Sequence, residues 1–211
     1  MDYIIEPERK IPVKAEYDTV VAGGGIAGIA AAAAAARGGA RVLLIEKQYM
    51  LGGLATAGLV TIFLPLCDGM GRQVTFGIAE ELLRLSVRHG YEGKYPSAWL
   101  ENGSYAEKAK QRFEVQYNPY IFAIEAEKLL KSAGVEILFG TSVCEAYVSD
   151  GKIRHIITEN KSGRTAVLLK TLLIARGMPI FAGLQGKTRL FFLRAMCRRH
   201  GTTMLKTAKT S

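Results

Sequence analysis

The sequence predicts an α/β fold: a parallel sheet entered through a strand, turn, helix and second strand, then an inserted helical and loop segment, then a three-stranded antiparallel meander. Three observations predict it. An apolar run at residues 19–22 leads straight into Gly23-x-Gly25-x-x-Gly28 and an alanine-rich stretch at residues 29–36. A second apolar run, residues 41–45, ends on the acid Glu46. Short β-rich segments between residues 143 and 175 are divided by turn signals rather than by helices.

In the first unit each glycine spacing has its own physical task. Gly23 permits the tight turn off the strand, Gly25 lets the backbone come close to a pyrophosphate, and Gly28 lets the helix pack close to the sheet. A helix opening there aims unpaired backbone N–H groups at phosphates. Glu46 lies 18 residues beyond Gly28, near the offset of about 20 at which an acid bonds an adenosine ribose. A carboxylate at that place also repels a phosphorylated ribose. This is a Rossmann-like dinucleotide pattern, and on these residues alone FAD and NAD both remain open.

The next segment, Leu51-Gly52-Gly53-Leu54-Ala55-Thr56-Ala57-Gly58, follows the acid within a dozen residues, where a plain nicotinamide domain would be starting another helix. It reads either as a second glycine loop at the nucleotide or as an ordinary flexible turn. The stretch EYDTVVAGGGIAGIAAAAAAARGGARVLLIEKQYMLGGLATAGLV resembles the N-terminal part of FAD-dependent oxidoreductases of the glutathione-reductase-like flavin superfamily, nearest to the bacterial group related to heterodisulfide reductase. The resemblance implies FAD as cofactor and flavin-mediated electron or hydride transfer. It assigns Gly23, Gly25 and Gly28 to the phosphate loop, Glu46 to the ribose, and Gly52, Gly53 and Thr56 to a loop running past the pyrophosphate toward the isoalloxazine.

Residues 122–133 can form a helix ended by Gly134, and residues 135–139 a short apolar strand. In the resembled family this return segment brings a backbone contact to the adenine near the position of Val143; a plain core role for Val143 is equally open. Residues 143–149, 152–159 and 166–169 then read as short strands split by Asp150-Gly151 and by Asn160-Lys161-Ser162-Gly163. They resemble the meander that these flavoproteins insert before residues 171–175 return to the parallel sheet. The resemblance covers roughly residues 10 to 175.

The middle of the chain is less legible. Residues 74–88 read as a helix with Ile78, Leu82, Leu83 and Leu85 on its apolar side. A long loop follows, leading toward another partly helical stretch. Its Tyr91, Tyr95, Trp99 and Tyr105 suit either a small satellite core or a pocket wall. The expected organisation is therefore an N-terminal lead at 1–16, the βαβ unit and second glycine loop at 17–62, an insertion at 63–118, the return helix, strands and meander at 119–175, and a tail at 176–211.

No catalytic constellation emerges by spacing. Cys67, Cys144 and Cys197 are isolated, as are His89, His155 and His200, so no metal site is expected. Cys67 suits an inert thiol or one near the flavin. Missing acid–base residues do not weigh against flavin chemistry, because the cofactor carries the reaction. The N-terminus is mixed and charged, and the apolar stretch 26–36 is too short for a bilayer span. Cytoplasm is the expected location, with a small molecule or a redox protein as substrate and no membrane partner.

Charge is divided sharply along the chain. Residues 1–159 carry a net −2, whereas residues 160–211 hold 11 Lys or Arg and no acid. Arg194, Arg198, Arg199, Lys206 and Lys209 would be the natural contacts of a nucleic-acid binder. No stacking platform or recognised binding motif accompanies them, so nucleic acid is not the expected partner. The resembled family continues after its returning strand with a D-A-T-G-D type motif that reaches the flavin, whereas this chain reads Ile174-Ala175-Arg176-Gly177-Met178-Pro179. Restoring one nucleotide near Met178 allows residues 177–188 to be read in another frame as G-D-A-D-I-C-R-A-A-G-E-D. The expectation is a frameshifted or truncated reading of a longer flavoprotein, with a genuine basic extension or a non-catalytic nucleotide-binding fragment as alternatives. The coding DNA decides between the first two.

Overall fold

The computed structural model describes residue 4, residues 8–175 and the backbone of residues 191–192. The rest of the basic tail, with Cys197 and His200, lies outside the described residues. The apolar run before Gly23 is the inner half of a longer strand, β1 (Val13–Ala22). Val20 and Val21 at its inner end are fully buried, while Val13, Lys14 and Glu16 face solvent. That outer half mixes polar and apolar residues, so no apolar run marks it in the sequence. Helix α1 (Ile26–Arg37) opens three residues before the expected Ile29, because extended Gly25 already serves as its N-cap. Strand β2 (Val42–Ile45) then runs parallel to β1, with Thr19 opposite Val42 and Ala22 opposite Ile45.

The insertion holds a 3-10 turn (Gly53–Ala55), β3 (Ile62–Phe63), α2 (Ile78–Ser86), α3 (Ser97–Leu100), α4 (Tyr105–Lys110) and β4 (Val115–Gln116), with β3 and β4 forming a two-stranded antiparallel sheet. Helix α2 is shorter than the expected 74–88, since Gly77 with φ 69° ends it at one side and Val87 leaves helical geometry at the other. Leu82, Leu83 and Leu85 are its buried face, and each such side chain contributes about 1.5–3 kcal/mol relative to exposure. In α4 the Ser104 and Glu107 side chains close a reciprocal capping box.

Helix α5 (Pro119–Ser132) starts before the expected residue 122. Asn118 Oδ1 accepts from the amides of Tyr120 (3.0 Å) and Ile121 (3.3 Å), and Pro119 occupies the first turn, where its missing N–H costs nothing. Four strands follow: β5 (Glu136–Leu138), β6 (Ser142–Ser149), β7 (Lys152–Asn160) and β8 (Gly163–Ile174), with β9 (Phe191–Phe192) beside the end of β8. The sheet order is β5-β2-β1-β8-β7-β6. Strands β5, β2, β1 and β8 are mutually parallel, and β8, β7 and β6 are antiparallel. The expected third meander strand and returning strand are thus one strand, β8. Between them Lys170 interrupts only the apolar pattern; it extends outward to Asp18 at 2.7 Å and leaves the backbone unbroken.

Because strand side chains alternate, each parallel strand feeds two cores. Val21 and Leu44 pack with Ile29, Leu83, Phe122 and Leu130 on the helical side. Val20 and Ile45 pack with Val143, Ile156 and Leu172 on the meander side. The inner ends of β1 and β2 are thereby clamped between two layers, and both deliver their next residues, Gly23 and Glu46, to the same edge. Crevices beyond the carboxyl ends of parallel strands are where α/β sheets bind ligands.

Candidate functional site

Gly23 makes the turn off β1 and donates its amide to Ile45 O at 2.8 Å, tying the turn to the end of β2. Gly28 is needed for close packing: a Cβ there would lie 1.8 Å from Gly23 O. Gly25 is the opposite case, because a Cβ built on it meets nothing within 4 Å. Its backbone faces open space at the first turn of α1, a helix without a side-chain cap. Backbone N–H groups at such an end suit an anion.

The second glycine segment folds directly onto the first. Gly52 donates its amide to Gly24 O at 2.8 Å, and Gly25 and Gly52 form a parallel bridge. Gly52 sits at φ 104°, outside the range of ordinary side chains, and a Cβ on Gly53 would come within 3.4 Å of Gly25 Cα. Residues 51–58 thus begin against the first glycine turn. Thr56 is 1% exposed and donates its hydroxyl to Leu51 O at 2.6 Å, so its side chain closes the loop from inside.

Glu46 is a buried carboxylate held by two backbone donors. Oε2 accepts from Gly24 N at 2.6 Å and Oε1 from Gln48 N at 2.9 Å. A carboxylate has about four acceptor positions, so roughly half of its capacity remains for a ligand. The return segment is pinned to the same place: Thr141 donates its amide to Glu46 O at 3.1 Å and Gly140 to Gln48 O at 3.2 Å. Val143 lies two residues further on, its side chain packed in the meander-side core. The structure thus gathers Gly23, Gly25, Gly28, Glu46, Gly52, Gly53 and Thr56 at one edge and sets Val143 beside it. Sequence reasoning missed Gly24, where a Cβ would lie 2.7 Å from Leu51 Cδ2, and Gln48 and Thr141, whose backbone groups make these contacts.

Other candidates divide. Trp99 stacks on Phe113 at 5.1 Å and donates its indole N–H to Gln111 O at 2.7 Å, a small satellite core. Tyr91 and Tyr95 stack at 4.5 Å and line a surface hollow of about 610 Å³ with Ser97 and Glu101, whereas Tyr105 is exposed. Half-buried Cys67 accepts from Phe113 N at 3.2 Å. Burial, reinforced by the Glu159 carboxylate, pushes the Cys144 thiol up and away from reactivity. Among the described residues no group of three or more His, Cys, Asp or Glu is placed to hold a metal ion, and no helix is long and apolar enough to cross a membrane.

The sequence profile of a family described as FAD dependent oxidoreductase matches residues 18–173. No curated protein sequence matches the chain. Among solved structures, THI4 of Thermovibrio ammonificans is 17% identical with a TM-score of 0.50, over 77% of this chain and 58% of that one. The 3-ketosteroid-delta4-(5alpha)-dehydrogenase of Rhodococcus jostii is 20% identical with a TM-score of 0.50, over 76% and 46%. The p-nitrophenol 4-monooxygenase PnpA of Pseudomonas putida is 16% identical with a TM-score of 0.52, over 83% and 44%. At these identities the likeness is one of fold. The chain spans about half the length of these structures.

Proposed function

Since the chain belongs to the FAD-dependent oxidoreductase family, whose cofactor is FAD, we propose that its paired glycine loops and Glu46 hold the ADP half of FAD for a flavin-mediated electron or hydride transfer. The observation that carries this reading is the union of the two loops around Gly25, with open space where a side chain would stand and a buried carboxylate at the end of β2. The residues fit the group. Gly25 and the first turn of α1 receive the pyrophosphate, and the free acceptor positions of Glu46 receive the ribose hydroxyls. Gly23 and Gly28 hold the turn and helix together, Gly52 and Gly53 bring the second backbone close, and Thr56 keeps that loop closed. The backbone around Val143 flanks the adenine side.

Bound FAD supplies the electron chemistry itself. The chain's own part is to bind, orient and exclude water. The electron partner is a small molecule or a redox protein. Titration of the purified chain with FAD, followed by flavin fluorescence, tests the reading when competitors are added. ADP is expected to displace FAD and riboflavin is not. Displacement by riboflavin but not by ADP, or no FAD binding, overturns it.

A further inference from the structure

Tyr117 sits between β4 and the Asn118 cap of α5, with 1% of its surface exposed. Its ring packs against Phe63 and Phe122, each at 5.3 Å between centroids. Its hydroxyl points away from that cluster into the second glycine segment, donating to Ala55 O at 3.0 Å with a longer approach to Val60 O at 3.3 Å. A phenol has one proton, so the two carbonyls share a single three-centre bond. Burial pushes the Tyr117 phenol up to about 12, which keeps it a donor at physiological pH.

What this bond holds is the outer part of a loop whose start is set by buried Ala55 and Thr56 and whose end is set at Thr61, which accepts from Tyr117 N at 3.2 Å. Leu54, Leu59 and Val60 are 74%, 69% and 50% exposed, so burial of large side chains does not anchor residues 54–60. The loop's internal bonds, Gly58 N to Gly53 O, Leu59 N to Thr56 O and Val60 N to Leu54 O, set its shape but not its place on the protein. Leu59 is held at φ 56°, a left-handed conformation that costs a leucine free energy and persists only when its surroundings enforce it. The start of the loop is tied to the phosphate turn through Gly52 N and Gly24 O. Its far side is tied to the base of α5 by the Tyr117 hydroxyl and, at Thr61 O, by the Tyr117 amide at 3.2 Å.

We infer that Tyr117 is a positioning residue for the cofactor cradle, fixing the second glycine loop from behind through the Ala55 and Val60 carbonyls. This rests on the FAD reading above. Tyr117→Phe removes the hydroxyl and keeps the ring that fills the core. Backbone amides of Gly58, Leu59 and Val60 should exchange with solvent faster, while those of β1 and β2 keep their protection. FAD Kd should rise roughly tenfold, about 1.4 kcal/mol, and ADP Kd with it, because Gly52 of the same loop is bridged to Gly25. Phe63→Leu disturbs the same ring cluster but leaves the hydroxyl, and should keep the wild-type exchange protection of Gly58, Leu59 and Val60.

Unchanged FAD affinity in Tyr117→Phe overturns the inference. So does a loss of protection that spreads evenly over β1 and β2, or failure of the variant to fold, since each makes the hydroxyl a general structural element. If the unaltered chain binds neither nucleotide, the FAD reading fails first and the role of Tyr117 falls with it.

Discussion

Replacing Gly25 by valine should leave the unliganded fold intact and abolish FAD binding. Gly25 has φ −69° and ψ 179°, an extended conformation open to any residue, and its added Cβ meets nothing within 4 Å. Substituting glycine at a compatible position stabilises by roughly 0.4–1 kcal/mol through the unfolded chain. Loss of a favourable N-cap residue costs a comparable amount, about 0.5–1 kcal/mol. The two offset, so stability should stay within about 1 kcal/mol and Tm within roughly 2–4 °C. The valine nevertheless fills the open space proposed for the pyrophosphate. FAD Kd should rise at least about a hundredfold, or ~2.8 kcal/mol. Gly28→Ala is the matched contrast, with a Cβ 1.8 Å from Gly23 O. The turn must move by more than about 1 Å, an overpacking cost of roughly 1–3 kcal/mol or more, of which alanine's helix propensity returns about 1 kcal/mol. Urea unfolding of both apo variants, run beside FAD fluorescence titration, separates the effects. Wild-type FAD affinity in Gly25→Val, or unfolding of that variant while Gly28→Ala keeps full stability, would refute the reasoning.

Three further outcomes follow from named contacts. Glu46→Ala orphans the buried Gly24 N–H and removes the proposed ribose acceptor; an FAD affinity loss of about tenfold or more is expected from a charged hydrogen bond worth roughly 1.5–3 kcal/mol, and an unchanged Kd by calorimetry would reduce Glu46 to a structural acid. Glu125 is buried, and the Lys128 ammonium hydrogen-bonded to it, aided by His89, holds its carboxyl below the usual carboxylate range. A depressed folded pKa gives stability that is present above the unfolded carboxylate pKa and lost as pH falls through the folded one. Urea midpoints should therefore drop more steeply on acidification below about pH 4.3 in the unaltered chain than in Glu125→Gln, and parallel profiles would contradict this. Asn118→Ala removes the cap from α5 and should cost about 1 kcal/mol in chemical denaturation; no loss would show that the helix start is held by packing alone.

The βαβ unit was legible because its inner residues are buried on both faces and so form unbroken apolar runs, and because the steric demand at Gly28 admits little besides glycine. The outer half of β1 escaped notice because one side of it is wet and its pattern mixes Lys14 and Glu16 with apolar neighbours. The join within β8 was hidden by Lys170, whose charge breaks hydropathy without breaking the strand. Asn118-Pro119 did carry a helix-start signal, and a reading based on the apolar stretch alone passed over it. Tyr117 is different in kind: its hydroxyl acts on carbonyls 57 and 62 residues earlier in the chain, and no local pattern encodes such a contact. Thr141 shares that limit, since an amide carries no residue identity.

The most direct measurement is retention of FAD by the purified chain: incubation with excess cofactor, removal of the free fraction, and absorbance and fluorescence of what remains against a protein-free control. One FAD per chain, released by ADP and absent in Gly25→Val, is the predicted result. A folded sample that retains no flavin would contradict the claim that the two glycine loops and Glu46 form a working cofactor cradle.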